Sequence, residues 1–345
     1  MKVGQARAAA ARWVAEHAHV EAGFRGAYFS GSTVGLPDDA ELPPSSDVDI
    51  VVVIARDDPP AKLGKFRYEG ALLEVSHLSW AQLSSPDDVL ASYHLAGGFR
   101  ADTIIDDPTG RLRALHAYVA DRFAAEPWVR RRCQDARHRI EHRLAAIDTS
   151  APFHEQVNAW LFSTGVTTHV LLVAALRNPT IRLRYLAARR VLAHYGELGV
   201  YPELLELLGC RDLPADRVRH HLSELATTFD ATARVAKTPF PFSSDIAPDA
   251  RPIVIDGSRD LIDSGDHREA VFWIIATFAR CHTILAADAP ELHRELAPAF
   301  RAAVADLGIT SAGDLAHRTA QVIRYLPALW QTTEAILAAN PDITA

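Results

Sequence analysis

The first third of the chain alternates short apolar runs with turn residues, a pattern typical of the strands of a small sheet. An amphipathic helix to about Ala18 precedes these runs. We predict strands over 27–30, 48–54, 66–68, 72–78 and 103–105, with a helix from about Arg111. Glu69-Gly70 predicts the tight turn of an antiparallel hairpin, because glycine tolerates the positive φ that such turns require. Ser79 is expected to cap a following helical stretch.

From Glu126 onward, apolar residues recur almost throughout at helical spacing. The predicted helices cover 126–148, 152–177, 181–196, 202–208, 214–236, 258–264, 266–287, 289–306 and 312–339. The Pro- and Ser-rich stretch 237–256 is either a long ordered loop or a flap over a site. We therefore predict an α+β protein, with a small mixed-sheet domain over 1–124 and an all-α helical bundle domain over 125–345.

Composition narrows the class of protein and its partners. The 345 residues are 48% hydrophobic, as in an ordered globular protein, and the net charge of -7 argues against nucleic acid as a partner. The N-terminal stretch lacks the apolar core of a signal peptide, and the longest apolar runs are shorter than a membrane span. Cys133, Cys210 and Cys281 have no disulfide or zinc-site spacing. We expect a cytoplasmic protein that makes no membrane contact. The sequence does not define the oligomeric state, and a homo-oligomer is one possibility.

Candidate chemistry is concentrated around two acidic residues at the start of a predicted strand. Asp47 and Asp49 point to the same side of the strand, because successive side chains alternate faces. Two converging carboxylates suit Mg²⁺, and a pair of such ions can stabilise the attacking and leaving oxygens of phosphoryl or nucleotidyl transfer. Upstream, Gly31 allows close approach of the backbone to a phosphate, and the hydroxyl of Ser32 can donate to it.

A third carboxylate, Glu74, interrupts the apolar strand 72–78. If that strand neighbours the one carrying Asp47 and Asp49, Glu74 lies about 5 Å away across the ladder. It is then placed either to bind metal or to act as a general base, and the sequence leaves both roles open.

These motifs, within residues 26–78, resemble the DNA polymerase beta-like nucleotidyltransferase superfamily, in which a Gly-Ser turn precedes an Asp-hydrophobic-Asp strand and a third carboxylate on an adjacent strand. The pairing with a helical domain is similar to the aminoglycoside nucleotidyltransferases and their bacterial relatives. The resemblance implies that Gly31 and Ser32 hold the triphosphate. It also implies that Asp47, Asp49 and Glu74 bind two Mg²⁺ ions and form the catalytic triad, with a nucleoside triphosphate, ATP by analogy, as the donor substrate.

Two features depart from that pattern. The loop between Ser32 and Asp47 is longer than usual, and the stretch 33–36 lacks the basic residue often found after the Gly-Ser turn. We therefore expect Lys62, Lys65 or Arg67, from the following hairpin, to neutralise the triphosphate.

The expected reaction moves a nucleoside monophosphate from the triphosphate to a hydroxyl of a small-molecule acceptor. One candidate acceptor is an aminoglycoside-like antibiotic, in which case the protein would act in antibiotic resistance. We expect the helical domain to position this acceptor. Acidic residues there would bind a polycation, and the candidates are Glu155, Asp260, Asp263 and Asp266. Two alternatives stay open. One is a non-catalytic nucleotide-binding regulator or antitoxin-like protein, and the other is a nucleotidyltransferase that modifies protein or RNA.

Overall fold

The computed structural model describes residues 1–43 and 45–345; Pro44, in the long loop before Asp47, lies outside this description. The predicted α+β class is confirmed, with a small mixed sheet at the N-terminus and helices after it. The chain divides into two compact units. Unit 1 comprises Met1–Arg132 and Asp342–Ala345, and unit 2 comprises Cys133–Pro341. The division falls inside a helix, whereas the sequence analysis placed a domain boundary near Ala124.

Unit 1 contains a five-stranded sheet with the strand order β3-β4-β2-β1-β5. The strands are β1 Phe24–Ser30, β2 Val48–Ile54, β3 Gly64–Tyr68, β4 Ala71–Ser79 and β5 Ile104–Asp106, and the helices are α1 Val3–Trp13, α2 Pro86–Ala91 and α3 Arg111–Arg122. Only β2 and β4 pair in parallel; the other neighbours are antiparallel. The hairpin prediction is confirmed, since Glu69 and Gly70 both have positive φ between β3 and β4.

The two faces of this sheet are covered by different helices. On one face, Trp13 and alanines of α1 pack against Val48, Ile50, Leu73 and Val75. On the other face, residues of α2 and α3 form a second cluster with strand residues such as Val53. Because side chains alternate along β2, Asp49 lies on the same face as Val53. It is near the end of β2 that follows the long loop.

The last residues of the chain belong to unit 1. The Thr344 amide donates to the Ala124 carbonyl at 3.0 Å, and the Glu126 amide donates to the Thr344 carbonyl at 2.8 Å. This backbone bridge fixes the C-terminal segment beside residues 124–126.

Unit 2 is helical, and the nine predicted helices are present with small changes at their ends. They are α4 Glu126–Ala145, which begins in unit 1, α5 Phe153–Ala174, α6 Arg184–His194, α7 Tyr201–Leu208, α8 Ala215–Val235, α9 Gly257–Asp263, α10 His267–Asp288, α11 Pro290–Ala305 and α12 Ala312–Ala339. The stretch 237–256 is an ordered segment. Its last five residues, Pro252–Asp256, form a wide helical turn that buries Ile253, Val254 and Ile255 and runs into α9.

Two helices of unit 2, α5 and α10, are long and apolar enough to span a membrane by length and composition alone. Their apolar windows are 83% and 78% buried within the protein. Core helices of globular proteins satisfy the same criterion, so this finding is weak evidence for a membrane contact.

Candidate functional site

The register of the sheet places four polar residues in one row. Ser30 of β1 pairs with Asp49 of β2, Asp49 pairs with Glu74 of β4, and Glu74 pairs with Lys65 of β3. Paired residues on neighbouring strands project to the same face. One face of the sheet therefore carries a hydroxyl, two carboxylates and an ammonium group side by side.

Asp47, just before β2, completes a cluster of three carboxylates. One ligand oxygen from each of Asp47, Asp49 and Glu74 can be chosen so that all three lie within 4.8 Å of one another. Among the described residues, this is the one such group of three or more histidine, cysteine or acidic side chains. Hard cations such as Mg²⁺ bind carboxylate oxygens, so the donor set and its spacing fit a magnesium ion held by these three residues.

Two lysines neutralise part of this negative charge. Lys65 Nζ lies 2.8 Å from Asp47 Oδ2 and also contacts Glu74 Oε1. Lys62 Nζ lies 2.5 Å from the same Glu74 oxygen. The Lys65 side chain is only 8% exposed, so its ion pairs are shielded from water. Both lysines predicted to bind nucleotide thus lie at the carboxylates in this structure.

The protonation behaviour of Asp49 and Glu74 follows from these neighbours. Burial raises the pKa of Asp49 well above its usual range, and the negative charges of Asp47 and Glu74 raise it further. Burial acts to raise the pKa of Glu74 too, but the charges of Lys65 and Lys62 outweigh it and lower that pKa. Asp49 and Glu74 share a side-chain hydrogen bond, and their pKa values are shifted in opposite directions.

Gly31 is the point at which the backbone comes closest to the carboxylates. Its φ of 71° and ψ of -158° define a conformation that residues with a side chain rarely adopt. A Cβ atom there would lie 2.6 Å from Asp49 Cγ and closer still to Oδ2. Only glycine therefore fits between the end of β1 and Asp49. The next residue, Ser32, is exposed and begins a single 3₁₀ turn over Ser32–Gly35.

Arg7 of α1 fixes the segment that follows this turn. Its guanidinium donates to the carbonyl oxygens of Thr33, Val34 and Leu36, the last at 2.9 Å, and pairs with Asp38 at 2.6 Å. Buried backbone carbonyls need such donors when they lie outside regular structure. The sequence analysis missed Arg7. No local sequence pattern indicates the role of Arg7, because its partners lie 26 or more residues away in the chain.

No protein-family model and no curated protein matches this chain. The support for any function therefore comes from the arrangement of the side chains themselves.

The four predicted acceptor-binding residues all lie in unit 2. Asp263 pairs with Arg219 at 3.1 Å, and Asp266 pairs with Arg189 at 2.6 Å. Asp260 is exposed on α9, and Glu155 lies in the first turn of α5. Within the described part of the chain, these four do not form a compact acidic cluster like that of unit 1. Their role in binding an acceptor stays a prediction.

Unit 2 also contains an open cavity of about 610 Å³ near the ends of α7 and α11. Two of its arginines already have partners. Arg217 pairs with Asp306, and Arg318 donates to the carbonyl oxygens of Glu206 and Leu307. We therefore take the carboxylates of unit 1, and not this cavity, as the candidate functional site.

Proposed function

We propose that this protein is a Mg²⁺-dependent nucleotidyltransferase that moves a nucleoside monophosphate from a nucleoside triphosphate, ATP by analogy, to a hydroxyl of a small-molecule acceptor. The observation that carries the proposal is the convergence of Asp47, Asp49 and Glu74 to within 4.8 Å on a sheet face. Gly31 lies directly against the middle carboxylate. The resemblance to the DNA polymerase beta-like superfamily in residues 26–78 agrees with this arrangement.

The carboxylates have the first role in this reaction. Asp47, Asp49 and Glu74 would hold Mg²⁺, which when bound would stabilise the negative charge that develops on the α-phosphate. Metal ligation requires the ionised form of a carboxylate, so the raised pKa of Asp49 would couple metal binding there to pH. Glu74 is either a third ligand or the base that removes the proton of the acceptor hydroxyl.

Groups around the carboxylates would bind the triphosphate. The exposed hydroxyl of Ser32 is available to donate to phosphate oxygens, and Gly31 allows the phosphate chain to approach the backbone. Lys62 and Lys65 supply the positive charge that residues 33–36 lack. Ammonium groups are effective point-charge partners for phosphate.

The acceptor class is the least constrained element of the proposal. A polycationic acceptor such as an aminoglycoside would be attracted by acidic residues of unit 2. Asp260, which is exposed, is the first candidate, because Asp263 and Asp266 are engaged by arginines. The same module serves several acceptor classes, so the acceptor must be found by experiment.

The test measures pyrophosphate release from ATP, GTP, CTP and UTP with Mg²⁺ and a panel of aminoglycosides. Binding of a non-hydrolysable ATP analogue is measured by calorimetry in parallel. We expect metal-dependent binding that is lost in Asp47→Asn, and pyrophosphate release with at least one acceptor. Failure of the analogue to bind with any divalent metal would refute the proposal. Binding without turnover on small molecules, proteins or RNA would favour a non-catalytic regulator.

A further inference from the structure

The feature that the proposed function does not explain is the position of Lys65. A lysine that only binds phosphate is expected to extend towards the substrate. Here Lys65 Nζ lies between two members of the carboxylate cluster, 2.8 Å from Asp47 Oδ2 and in contact with Glu74 Oε1. Its side chain is less exposed than that of either carboxylate partner.

The charges explain why a cation is needed at this point. Three clustered carboxylates repel one another, and buried charges are tolerated only when they are paired. The ammonium groups of Lys62 and Lys65 leave a single negative charge when all five groups are ionised. Lys65 bridges Asp47 and Glu74, and its side chain is 8% exposed, against 24% for that of Lys62.

The backbone shows that Lys65 is well placed to move. It is the cross-strand partner of Glu74 on β3, which is an edge strand of the sheet. Its four-carbon stem is flexible, so the ammonium group can shift by several ångströms while the backbone stays paired. The strand holds the Lys65 backbone beside the carboxylates, and its flexible stem would let the ammonium group change partners.

We propose that Lys65 is an internal counter-ion that occupies the cation position between Asp47 and Glu74 in the metal-free protein and passes to the nucleotide phosphates when Mg²⁺ enters. This inference rests on the proposed function. It makes Lys65 a competitor of the metal in the absence of nucleotide and a partner of the metal-nucleotide complex in its presence. Removing the charge of Lys65 should therefore strengthen metal binding in the absence of nucleotide and weaken nucleotide binding in the presence of metal.

The experiment uses the full chain and Lys65→Met, which keeps the stem and removes the charge. Mn²⁺ alone is titrated by electron paramagnetic resonance, and a non-hydrolysable ATP analogue is titrated by calorimetry at saturating Mn²⁺. We expect Lys65→Met to bind Mn²⁺ roughly ten-fold more tightly and the analogue roughly ten-fold more weakly than the wild type. Lys65→Arg, which keeps the charge, should return Mn²⁺ affinity towards the wild-type value.

Lys237→Met is the matched control, because Lys237 is exposed in unit 2 and its loss changes the net charge equally. It should change neither equilibrium. If Lys65→Met does not fold, Lys62→Met, which removes a more exposed partner of Glu74, should show the same two effects at smaller size.

The outcomes separate this inference from the proposed function. Unchanged or weaker Mn²⁺ binding in Lys65→Met, with normal binding in the wild type, would overturn the counter-ion role alone. Weakening of both equilibria would mean that Lys65 has only a structural role. Absence of Mn²⁺ binding in the wild type, with or without the analogue, would instead refute the proposed function.

Discussion

Replacing Gly31 by alanine tests whether the backbone next to β1 sets the position of Asp49. The added methyl group would lie 2.6 Å from Asp49 Cγ and nearer still to Oδ2. Real Cβ atoms almost never approach other heavy atoms within 3.0 Å, so Asp49 or the turn must move. Gly31 also has φ 71° and ψ -158°, a region that alanine avoids.

The size of the effect follows from these two causes. The unfavourable backbone conformation costs about 1–3 kcal/mol, and the steric overlap adds about 1–3 kcal/mol unless Asp49 moves away. One kcal/mol lowers Tm by roughly 3 °C in a unit of this size, so a drop of about 6 °C or more is expected. Because an error of about 1 Å at a reacting centre costs on the order of 100-fold in rate, turnover should fall by at least that factor.

Two other glycines provide matched controls. At Gly35, in the same loop, an added Cβ meets nothing within 4 Å, and at Gly110 the space is open but φ is 70°. Gly35→Ala should be neutral, and Gly110→Ala should show conformational strain alone. Thermal melts and Mn²⁺ titrations of the three variants then separate strain from steric displacement of Asp49.

The double variant Gly31→Ala with Asp49→Ala completes the argument. Removing the Asp49 carboxylate removes the group that the new methyl displaces, so the Gly31→Ala cost should shrink to that of its backbone conformation alone. Normal Mn²⁺ binding by Gly31→Ala, or additive stability losses in the double variant, would refute the reasoning.

Three further predictions concern charge and position. Asp49→Asn should abolish nucleotidyl transfer while Tm stays unchanged or rises slightly, because it removes one of three clustered carboxylates and so relieves their repulsion; marked destabilisation in thermal melts would contradict this. Arg7→Lys should weaken binding of the ATP analogue roughly three- to ten-fold in calorimetry, because one ammonium group cannot donate to all three carbonyl oxygens. Asp38→Asn keeps these three hydrogen bonds and should have little effect on binding. Burial lowers the pKa of His169 to about 3, so the folded protein holds the neutral ring. The protein keeps its full stability from this residue above pH 6.5 and loses it as the pH falls towards 3, because the unfolded chain then takes up the proton. Between pH 7 and 5, the free energy of unfolding should fall by about 2 kcal/mol less in His169→Gln than in the wild type, as measured by denaturant titration. His138→Gln, at an exposed site, should not change this fall.

The carboxylate cluster could be predicted because its causes are local. Alternation along β2 places Asp47 and Asp49 on one side, and the Glu69-Gly70 turn defines the hairpin that carries Glu74. The pairing of β2 with β4 is a non-local step, which the sequence supports only as a condition. The structure supplies the register that aligns Asp49 with Glu74.

Other features could not be predicted, because they depend on contacts between distant segments. Arg7 reaches carbonyls 26 to 29 residues away, and Thr344 pairs with Ala124 and Glu126 across most of the chain. No pattern in the sequence places the ammonium of Lys65 between two carboxylates. Lys65 is predicted only to bind nucleotide, and its contacts with the carboxylates depend on the register of β3.

The position of the carboxylates is determined by the opposite face of the sheet. Val48, Ile50, Leu73 and Val75 are at most 1% exposed and pack under α1. Burial of such side chains contributes about 1.5–3 kcal/mol each, whereas two like charges at the 4.8 Å limit of this cluster cost roughly 3–4 kcal/mol at an effective dielectric of about 20, before Lys62 and Lys65 offset part of it. Apolar packing therefore exceeds the repulsion. A slip of β4 by one residue would turn Glu74 into the apolar layer under α1, so the same packing that overcomes the repulsion also fixes the register.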